Sequence, residues 1–373
     1  MENNLKTSRQ VNLDMLKIIS MFMVVLMHAL GHGHVLERCK IYTVDYAIFW
    51  GLRAAAYPCV NCFVFISGYF LTDHKIKISK VFKLWTQVLF FSVIGYCIEI
   101  VFLHSISIKE LLCVLTPISS EEYWFITCYT LLYIFSPLLN KVQNSITKRQ
   151  HFIIIAVFLA IFSIAPTFLY WTKGTLSGGR DLPWFITLYF IAGYIRKYGW
   201  QISFKLCATT YILGTLLTLG TNIVITLIRD SSSAADIFYY NNSPFIVVTS
   251  LAFFGMFLNI KPQSKILNGL SKVSSYTLGI YLLHENRFLR ERIWGLFDFT
   301  SRLDSGLYNT AVNILIIISA VLLIYIVGIL LDIIRDFLYR HCLQNILEEK
   351  LNMFEQRFLD SNDVRMYNED HKR

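Results

Sequence analysis

The stretch N12-L-D-M-L-K-I-I-S-M-F-M-V-V-L-M-H-A-L-G-H-G33 is long and apolar enough to cross a membrane as a helix, yet it contains ionisable side chains. Asp14 and Lys17 lie near its start, and His28 lies near its far end. Lys17 and His28 are eleven residues apart, or about three helical turns, so they share one face at roughly 16 Å from each other along the axis. Ionisable groups within a spanning helix are costly, and we therefore interpret this face as functional.

The composition of the chain is that of a polytopic membrane protein. Of its 373 residues, 55% are hydrophobic and only 16% are charged, whereas soluble domains have about 25% charged residues. The net charge of +9 is explained by loops rich in Lys and Arg, and no basic folded surface indicates a nucleic-acid partner. We predict an all-α, polytopic transmembrane helical bundle surrounded by membrane lipid.

About ten apolar runs approach the roughly 20 residues that a helix needs to cross a bilayer. Lys and Arg concentrate in alternate connections, so the positive-inside rule places both termini in the cytoplasm, as an even number of spans requires. We predict that residues 1–335 form the membrane domain and that residues 336–373 form a cytoplasmic amphipathic or disordered tail. The runs lie near 12–33, 44–71, 82–103, 123–140, 151–171, 182–198, 205–228, 243–260, 272–289 and 309–331.

His28 is the first candidate for catalysis. The unperturbed pKa of an imidazole is about 6.5, so it can accept a proton from a sugar hydroxyl near neutral pH. Lys17 and Asp14, which lie one turn apart on the same face, are predicted to belong to the same catalytic site. His32 follows His28 by four residues, a spacing that also suits zinc, but a third ligand is not evident in the sequence. We therefore expect no metal.

Two further groups lie toward the predicted cytoplasmic side. Ser67 and Gly68 close the second apolar run, where small residues allow either a ligand or a neighbouring helix to approach closely. Lys80 and Lys83 follow, one turn apart. They either belong to the ordinary positive charge of a cytoplasmic loop or clamp the phosphates of a nucleotide-bearing donor.

Other candidates lie toward the predicted outer side. Trp124 is typical of the aromatic belt of a membrane protein, and Glu121 and Glu122 before it can orient an imidazole or bind an acceptor sugar. Tyr281 and His284 share one face of a later run, and structural and acceptor-site roles are both open for them. The arginines of the outer connection 286–308 alternate with carboxylates, so we interpret that loop as internally paired rather than as an anion site.

Together these motifs resemble the acyltransferase-3 family of integral membrane acyltransferases, which O-acetylate bacterial surface glycans. Two positions depart from the family pattern: Lys80-x-x-Lys83 replaces a frequent Arg-x-x-Arg, and Asn61 stands where many members have Asp. The resemblance covers nearly the whole membrane portion, and the motifs that carry it are Lys17-x10-His28, F63-V-F-I-S-G-Y-F-L71, Y123-W-F125 with the Ser136-Pro137-Leu138 that follows, L182-P-W-F185 with A192-G-Y, and Y276-T-L-G-I-Y-L-L-H284.

The resemblance implies an acetyl-CoA-dependent O-acetyltransferase of the bacterial plasma membrane, in the stand-alone form without a soluble esterase-like domain. His28 would act as a general base or as a transient acyl carrier. Acetyl-CoA is expected to bind from the cytoplasm at Lys80, Lys83, Ser67 and Gly68. A glycan or lipid-linked glycan is expected at Trp124, Glu122, Tyr281 and His284. The residues alone leave two alternatives open, which are a polysaccharide transporter or flippase and a non-catalytic membrane scaffold or sensor.

Overall fold

A computed structural model describes most of the chain, and every regular element in the described part is a helix. The predicted all-α class is therefore confirmed for this part of the chain. The described residues are 10–72, 76–103, 107–120, 122–169, 178–232, 236–261, 265–342, 344, 350 and 353. Glu121 lies outside them, as does most of the predicted tail.

The helices differ widely in length, from single turns to a helix of 36 residues. A π-helical turn at Ala160–Ile164 joins α8 to α9, and a 3₁₀ turn at Lys272–Tyr276 joins α13 to α14. The α-helices are α1 Val11–His32, α2 Val35–Arg38, α3 Val44–Ala56, α4 Cys59–Leu71, α5 Ile78–Leu103, α6 Ile108–Leu115, α7 Trp124–Ser145, α8 Lys148–Leu159, α9 Ala165–Phe168, α10 Leu182–Tyr198, α11 Phe204–Arg229, α12 Pro244–Asn259, α13 Lys265–Ser271, α14 Thr277–His284, α15 Arg290–Gly295 and α16 Leu307–Cys342.

Seven helical segments of the described chain are long and apolar enough to cross a membrane, which makes this a multi-pass membrane protein. One of them, Val44–Leu71, combines α3 and α4, whose junction lies at Tyr57 and Pro58. Helices α10 and α12 have only 17 and 16 residues, or about 25 Å at 1.5 Å per residue, less than the roughly 30 Å core of a bilayer. The predicted ten spans include these shorter elements, and both that number and the cytoplasmic termini stay predictions.

Helix α1 lies at the centre of the bundle. It packs against α3, α4, α14 and α16, and also contacts α12. Its side chains Leu16, Val25, Ala29 and Leu30 are fully buried, because neighbours surround α1 on most of its circumference. Peripheral helices instead leave apolar side chains such as Leu217 and Leu323 exposed, as expected for surfaces that face lipid. The face of α1 that carries Lys17 and His28, which we interpret as functional, therefore points into the protein.

The buried amide of Asn61 joins three elements of the bundle. Its Nδ2 donates to the carbonyl of Asn241 at 2.8 Å and to Oγ of Ser250 at 3.2 Å. Its Oδ1 accepts from the indole Nε1–H of Trp184 at 3.1 Å. An Asn supplies both the donors and the acceptor that this place requires, whereas a carboxylate supplies acceptors only. The departure from Asp at this position thus has a structural explanation.

Helix α16 ends in a buried ionic cluster that binds it to α5. Asp332, which is 0% exposed, accepts from Nε2 of Gln87 at 2.9 Å and from Nη2 of Arg335 at 2.7 Å. Asp336 lies 3.7 Å from Nζ of Lys83 and 2.7 Å from Nη2 of Arg340. Paired in this way, the charges can be buried without the cost of an isolated ion. The helix continues without a break through the predicted domain boundary at 335/336, and the division into domain and tail stays a prediction.

Gly68 lies at the tightest contact between α4 and α10. A Cβ atom at this position would come within 2.9 Å of Cβ of Ala192 and 3.2 Å of Cα of Tyr189. We predict that Gly68→Ala lowers the melting temperature of the detergent-solubilised protein, because overpacking costs about 1–3 kcal/mol. Gly220→Ala is the matched control, since no atom lies within 4 Å of a Cβ there. Equal melting temperatures for the two variants would contradict this account of the α4–α10 contact.

Candidate active site

A cavity of about 490 Å³ lies beside α1, within the size range of small-molecule sites. It is lined mainly by α1, α4, α5, α7 and α14, and two of its lining residues, Lys80 and Lys83, are exposed. Seven of the eleven site residues predicted from the sequence line its wall. They are Lys17, His28, Ser67, Lys80, Lys83, Trp124 and Tyr281.

One end of the cavity, here called the lysine end, is defined by Lys17, Lys80 and Lys83. Lys83 is also 3.7 Å from Oδ1 of Asp336, so its charge is shared between the cavity and the α16 cluster. Gln87, whose amide is held by Asp332, lines the wall one turn further along α5. Three cations at one end of an otherwise mostly apolar cavity favour a ligand whose anionic part lies there.

The opposite end, here called the histidine end, is defined by His28, Trp124 and Tyr281. The Tyr281 ring contacts Phe125 and Tyr123 at 6.2 and 5.8 Å between centroids, and Trp124 contacts Phe125 at 5.9 Å. These aromatic rings form an apolar wall beside the imidazole. Between the two ends the hydroxyl of Ser67 donates to the carbonyl of Phe63 on its own helix at 2.8 Å.

His28 belongs to a cluster of polar groups supplied by α1 and by the end of α14. Its Nδ1 lies 2.9 Å from Nε2 of His284 and 3.3 Å from Oε1 of Glu285. The same carboxylate oxygen lies 3.0 Å from Nε2 of His32. His284 is fully buried, and the structure therefore places it behind His28 rather than in the cavity wall. The sequence predicted it at the acceptor site.

The hydrogen bonds of this cluster determine which ring nitrogen carries each proton. Nδ1 of His284 lies 2.6 Å from the carbonyl oxygen of Ile280, and a carbonyl can only accept, so this nitrogen carries the hydrogen. Nε2 of the neutral His284 ring is then an acceptor, and Nδ1–H of His28 donates to it. In neutral His28 the remaining nitrogen, Nε2, therefore holds a lone pair. That is the form that a general base requires.

Besides His284, three of the predicted site residues lie outside the cavity wall. Oδ1 of Asp14 accepts from the hydroxyl of Ser274 at 2.5 Å, which joins α1 to the 3₁₀ turn. Gly68 faces α10, as described above. Glu122 accepts from the hydroxyl of Ser92 at 3.2 Å, and burial raises the pKa of its carboxyl above the ordinary value, against the opposing effect of that hydrogen bond.

The structure adds residues that the sequence did not single out. Glu285 is next to His284 in a largely apolar run, and an acid in that setting is itself a signal. Arg180 lies with its guanidinium 5.7 Å from the centroid of the Trp124 ring, within electrostatic range of His28 and Tyr281. Asp332 and Arg335, spaced three apart near the end of an apolar helix, carried the same kind of signal as Glu285.

The fold and the site define an integral membrane protein with a histidine at one end of a cavity between its helices and cations at the other. The family model described as an acyltransferase domain, that of the acyltransferase-3 family, matches residues 10–333. The chain belongs to this family, as the sequence motifs predicted, and it is a membrane acyltransferase. Comparisons with curated proteins and with solved structures found no match.

The donor atoms of His28, His284 and Glu285 lie within 4.8 Å of one another, a set that could also ligate a metal ion. Because the hydrogen bonds described above commit Nδ1 of His28 and Nε2 of His284 to each other, we predict that no metal is needed. Acyl transfer by the purified protein should be unchanged after prolonged treatment with a chelator, and its metal content should be well below one ion per chain. Zinc at one per chain, lost together with activity, would contradict this.

Proposed function

We propose that this membrane acyltransferase transfers an acetyl group from acetyl-CoA to a hydroxyl of a bacterial surface polysaccharide or of its lipid-linked precursor. The observation that carries the proposal is the single cavity that has Lys17, Lys80 and Lys83 at one end and His28 at the other. The distance of roughly 16 Å along α1 between Lys17 and His28 suits a donor that is charged at one end and reactive at the other.

Acetyl-CoA is such a donor, because it is charged at its nucleotide end and reactive at its thioester end. In the proposal the lysine end faces the cytoplasm and holds the phosphates of the nucleotide, while the long and thin pantetheine arm extends along the apolar wall. The thioester then lies near His28. The glycan hydroxyl approaches the histidine end from the outer side. The donor therefore acylates an external acceptor without crossing the membrane as a whole molecule.

His28 is the general base in this scheme. Its Nε2 accepts the proton of the glycan hydroxyl while the oxygen attacks the thioester carbonyl. The C–S bond then breaks, and the imidazolium returns the proton to the leaving thiolate, which gives the glycan ester and free CoA. Glu285 and His284 stabilise the transient positive charge on the ring. The same lone pair also suits nucleophilic attack on the thioester, and an acetylated His28 trapped by mass spectrometry would identify that two-step route.

Removal of the base should abolish the reaction. We predict that His28→Ala lowers acetyl transfer by about 10³-fold, in keeping with the 10²–10⁴-fold contribution of general bases. Glu285→Gln should cost about 10–100-fold, because the imidazolium loses its counter-charge. The measurement is transfer of label from acetyl-CoA to the glycan, with acetyl-CoA hydrolysis as a second readout.

The matched control is His34→Asn, which alters an exposed histidine whose partner is Glu37 at 2.9 Å. His34 has a positive φ of 57°, which Asn tolerates. If His34→Asn has normal activity and His28→Ala has a normal melting temperature, the loss of transfer in His28→Ala is an effect on catalysis and not on folding. Substantial transfer by a well-folded His28→Ala protein would contradict the proposal, and a purified wild type that never consumes acetyl-CoA would favour a transporter.

The lysine end should recognise the nucleotide part of the donor. We predict that Lys80→Gln together with Lys83→Gln raises KM for acetyl-CoA about tenfold, which is about 1.4 kcal/mol. KM for acetyl-pantetheine, which lacks the nucleotide and its phosphates, should stay the same. Lys77→Gln is the control, because Lys77 is an exposed lysine of the same segment that does not line the cavity. An equal rise in KM for both donors would refute this assignment.

A further inference from the structure

Arg180 is an exposed cation beside the histidine end of the cavity. Its guanidinium lies over the ring of Trp124, at 5.7 Å from the centroid, and Trp124 lines the cavity together with His28. No carboxylate among the described residues forms an ion pair with it. A guanidinium has five N–H donors, and that of Arg180 is exposed beside the cavity.

Two acidic residues, one next to Arg180 in the chain and one at the histidine end, have other partners. Asp181, the neighbour of Arg180, caps α10, and its Oδ1 accepts from the backbone N–H of Trp184 at 3.0 Å. Glu285 contacts His28 at 3.3 Å and His32 at 3.0 Å. Arg180 and Asp181 are adjacent in the sequence, yet Asp181 contacts the N-terminus of α10 and Arg180 contacts the ring of Trp124.

The backbone at Arg180 is held in a defined turn. Gly178 and Gly179 both have positive φ angles, of 65° and 76°, and a Cβ at Gly179 would lie 2.8 Å from the backbone nitrogen of Asn242. The carbonyl of Gly178 accepts from N–H of Asn241 at 3.1 Å, and the carbonyl of Arg180 accepts from the thiol of Cys128 at 3.7 Å. The backbone that carries the Arg180 side chain is therefore fixed in this turn.

Other arginines of the predicted outer side differ from Arg180. Those in the connection 286–308 each lie within ion-pair distance of a carboxylate, but the predicted pairing within the loop holds only for Arg290 and Arg302, because Arg287 and Arg292 pair with acids of α6 and α5. The pairs are Arg287 with Glu110 at 3.6 Å, Arg290 with Glu291 at 3.3 Å, Arg292 with Glu99 at 2.8 Å and Arg302 with Asp298 at 3.5 Å. Among the described residues each of these four arginines has a carboxylate partner, whereas Arg180 has none.

A second arginine adds to the positive potential near this turn. Arg53 lies among the rings of Trp50, Tyr57 and Tyr239, at 4.9, 5.7 and 5.3 Å from their centroids, and it too has no carboxylate partner among the described residues. Tyr239 belongs to the same loop whose Asn241 holds the Arg180 turn. This loop therefore contacts Arg53 through Tyr239 and the turn before Arg180 through Asn241.

We propose that Arg180 binds a carboxylate or phosphate group of the acceptor, so that the acceptor of this acyltransferase is an acidic glycan. The inference rests on the proposed function, since it assumes a glycan acceptor at the histidine end. A guanidinium binds such planar or tetrahedral anions through paired N–H donors. Trp124 offers the apolar face of an adjacent sugar ring a surface to stack on. The bound anion then fixes which hydroxyl reaches His28.

The test uses the glycan isolated from producing cells that lack this gene, in three forms. One is untreated, one has its carboxylates reduced to alcohols, and one is dephosphorylated. Purified wild type, Arg180→Gln and Arg180→Lys in lipid nanodiscs are assayed for transfer of labelled acetyl from acetyl-CoA to each form. Arg292→Gln is the matched control, because Arg292 also lies over an aromatic ring, that of Phe102 at 4.5 Å, but has a carboxylate partner.

We expect wild-type transfer to fall at least tenfold on one of the two treated glycans, which identifies the anion as carboxylate or phosphate. Arg180→Gln should show that reduced rate on untreated glycan and no further loss on treatment. Its acetyl-CoA hydrolysis should be unchanged, and Arg180→Lys should be intermediate. Equal wild-type transfer to all three glycans, or an equal loss by Arg180→Gln on all three, would overturn this inference alone. No wild-type transfer to any glycan would overturn the proposed function as well.

Discussion

The hydrogen bond from Nδ1 of His284 to the carbonyl of Ile280, 2.6 Å long, sets the chemistry of the whole site. Because that carbonyl only accepts, it fixes the tautomer of His284, which fixes that of His28 through their 2.9 Å contact. The tautomer of His28 on α1 therefore depends on a hydrogen bond within α14. Helix α1 packs against α14 and α16, and these two helices also contact each other. Asp332 joins α16 to α5 in turn. Four helices therefore support the orientation of the His28 imidazole.

The sequence was sufficient to predict the features that arise within one helix. The side chains of Lys17 and His28 line the same cavity because helical periodicity fixes their relative direction, and both line it in the structure. Helical periodicity likewise predicted that Lys80 and Lys83 lie on one face of α5. The apolar composition predicted the class of protein, a membrane-spanning helical bundle, because few other folds tolerate so many apolar residues. Motif order along the chain gave the family, which the family match confirmed.

The remaining features depend on contacts between helices, which periodicity does not determine. His284 and His28 are 256 residues apart in sequence, and no local pattern indicates that they share a hydrogen bond. Glu122 lies two residues before Trp124, yet its side chain contacts Ser92 on another helix. Asp181 carries a clear local signal, because an Asp before Leu-Pro is a typical helix N-cap. In the structure it accepts from the backbone N–H of Trp184.

If one cavity joins the cations of the lysine end to the base at His28, a donor analogue should occupy it in one direction. The decisive measurement is a structure in lipid nanodiscs with a non-hydrolysable acetyl-CoA analogue in which a thioether replaces the thioester. We expect the phosphates to contact Lys80 and Lys83 and the terminal carbon to lie next to Nε2 of His28. An analogue bound elsewhere, or bound in the opposite direction with its phosphates at His28, would contradict this expectation.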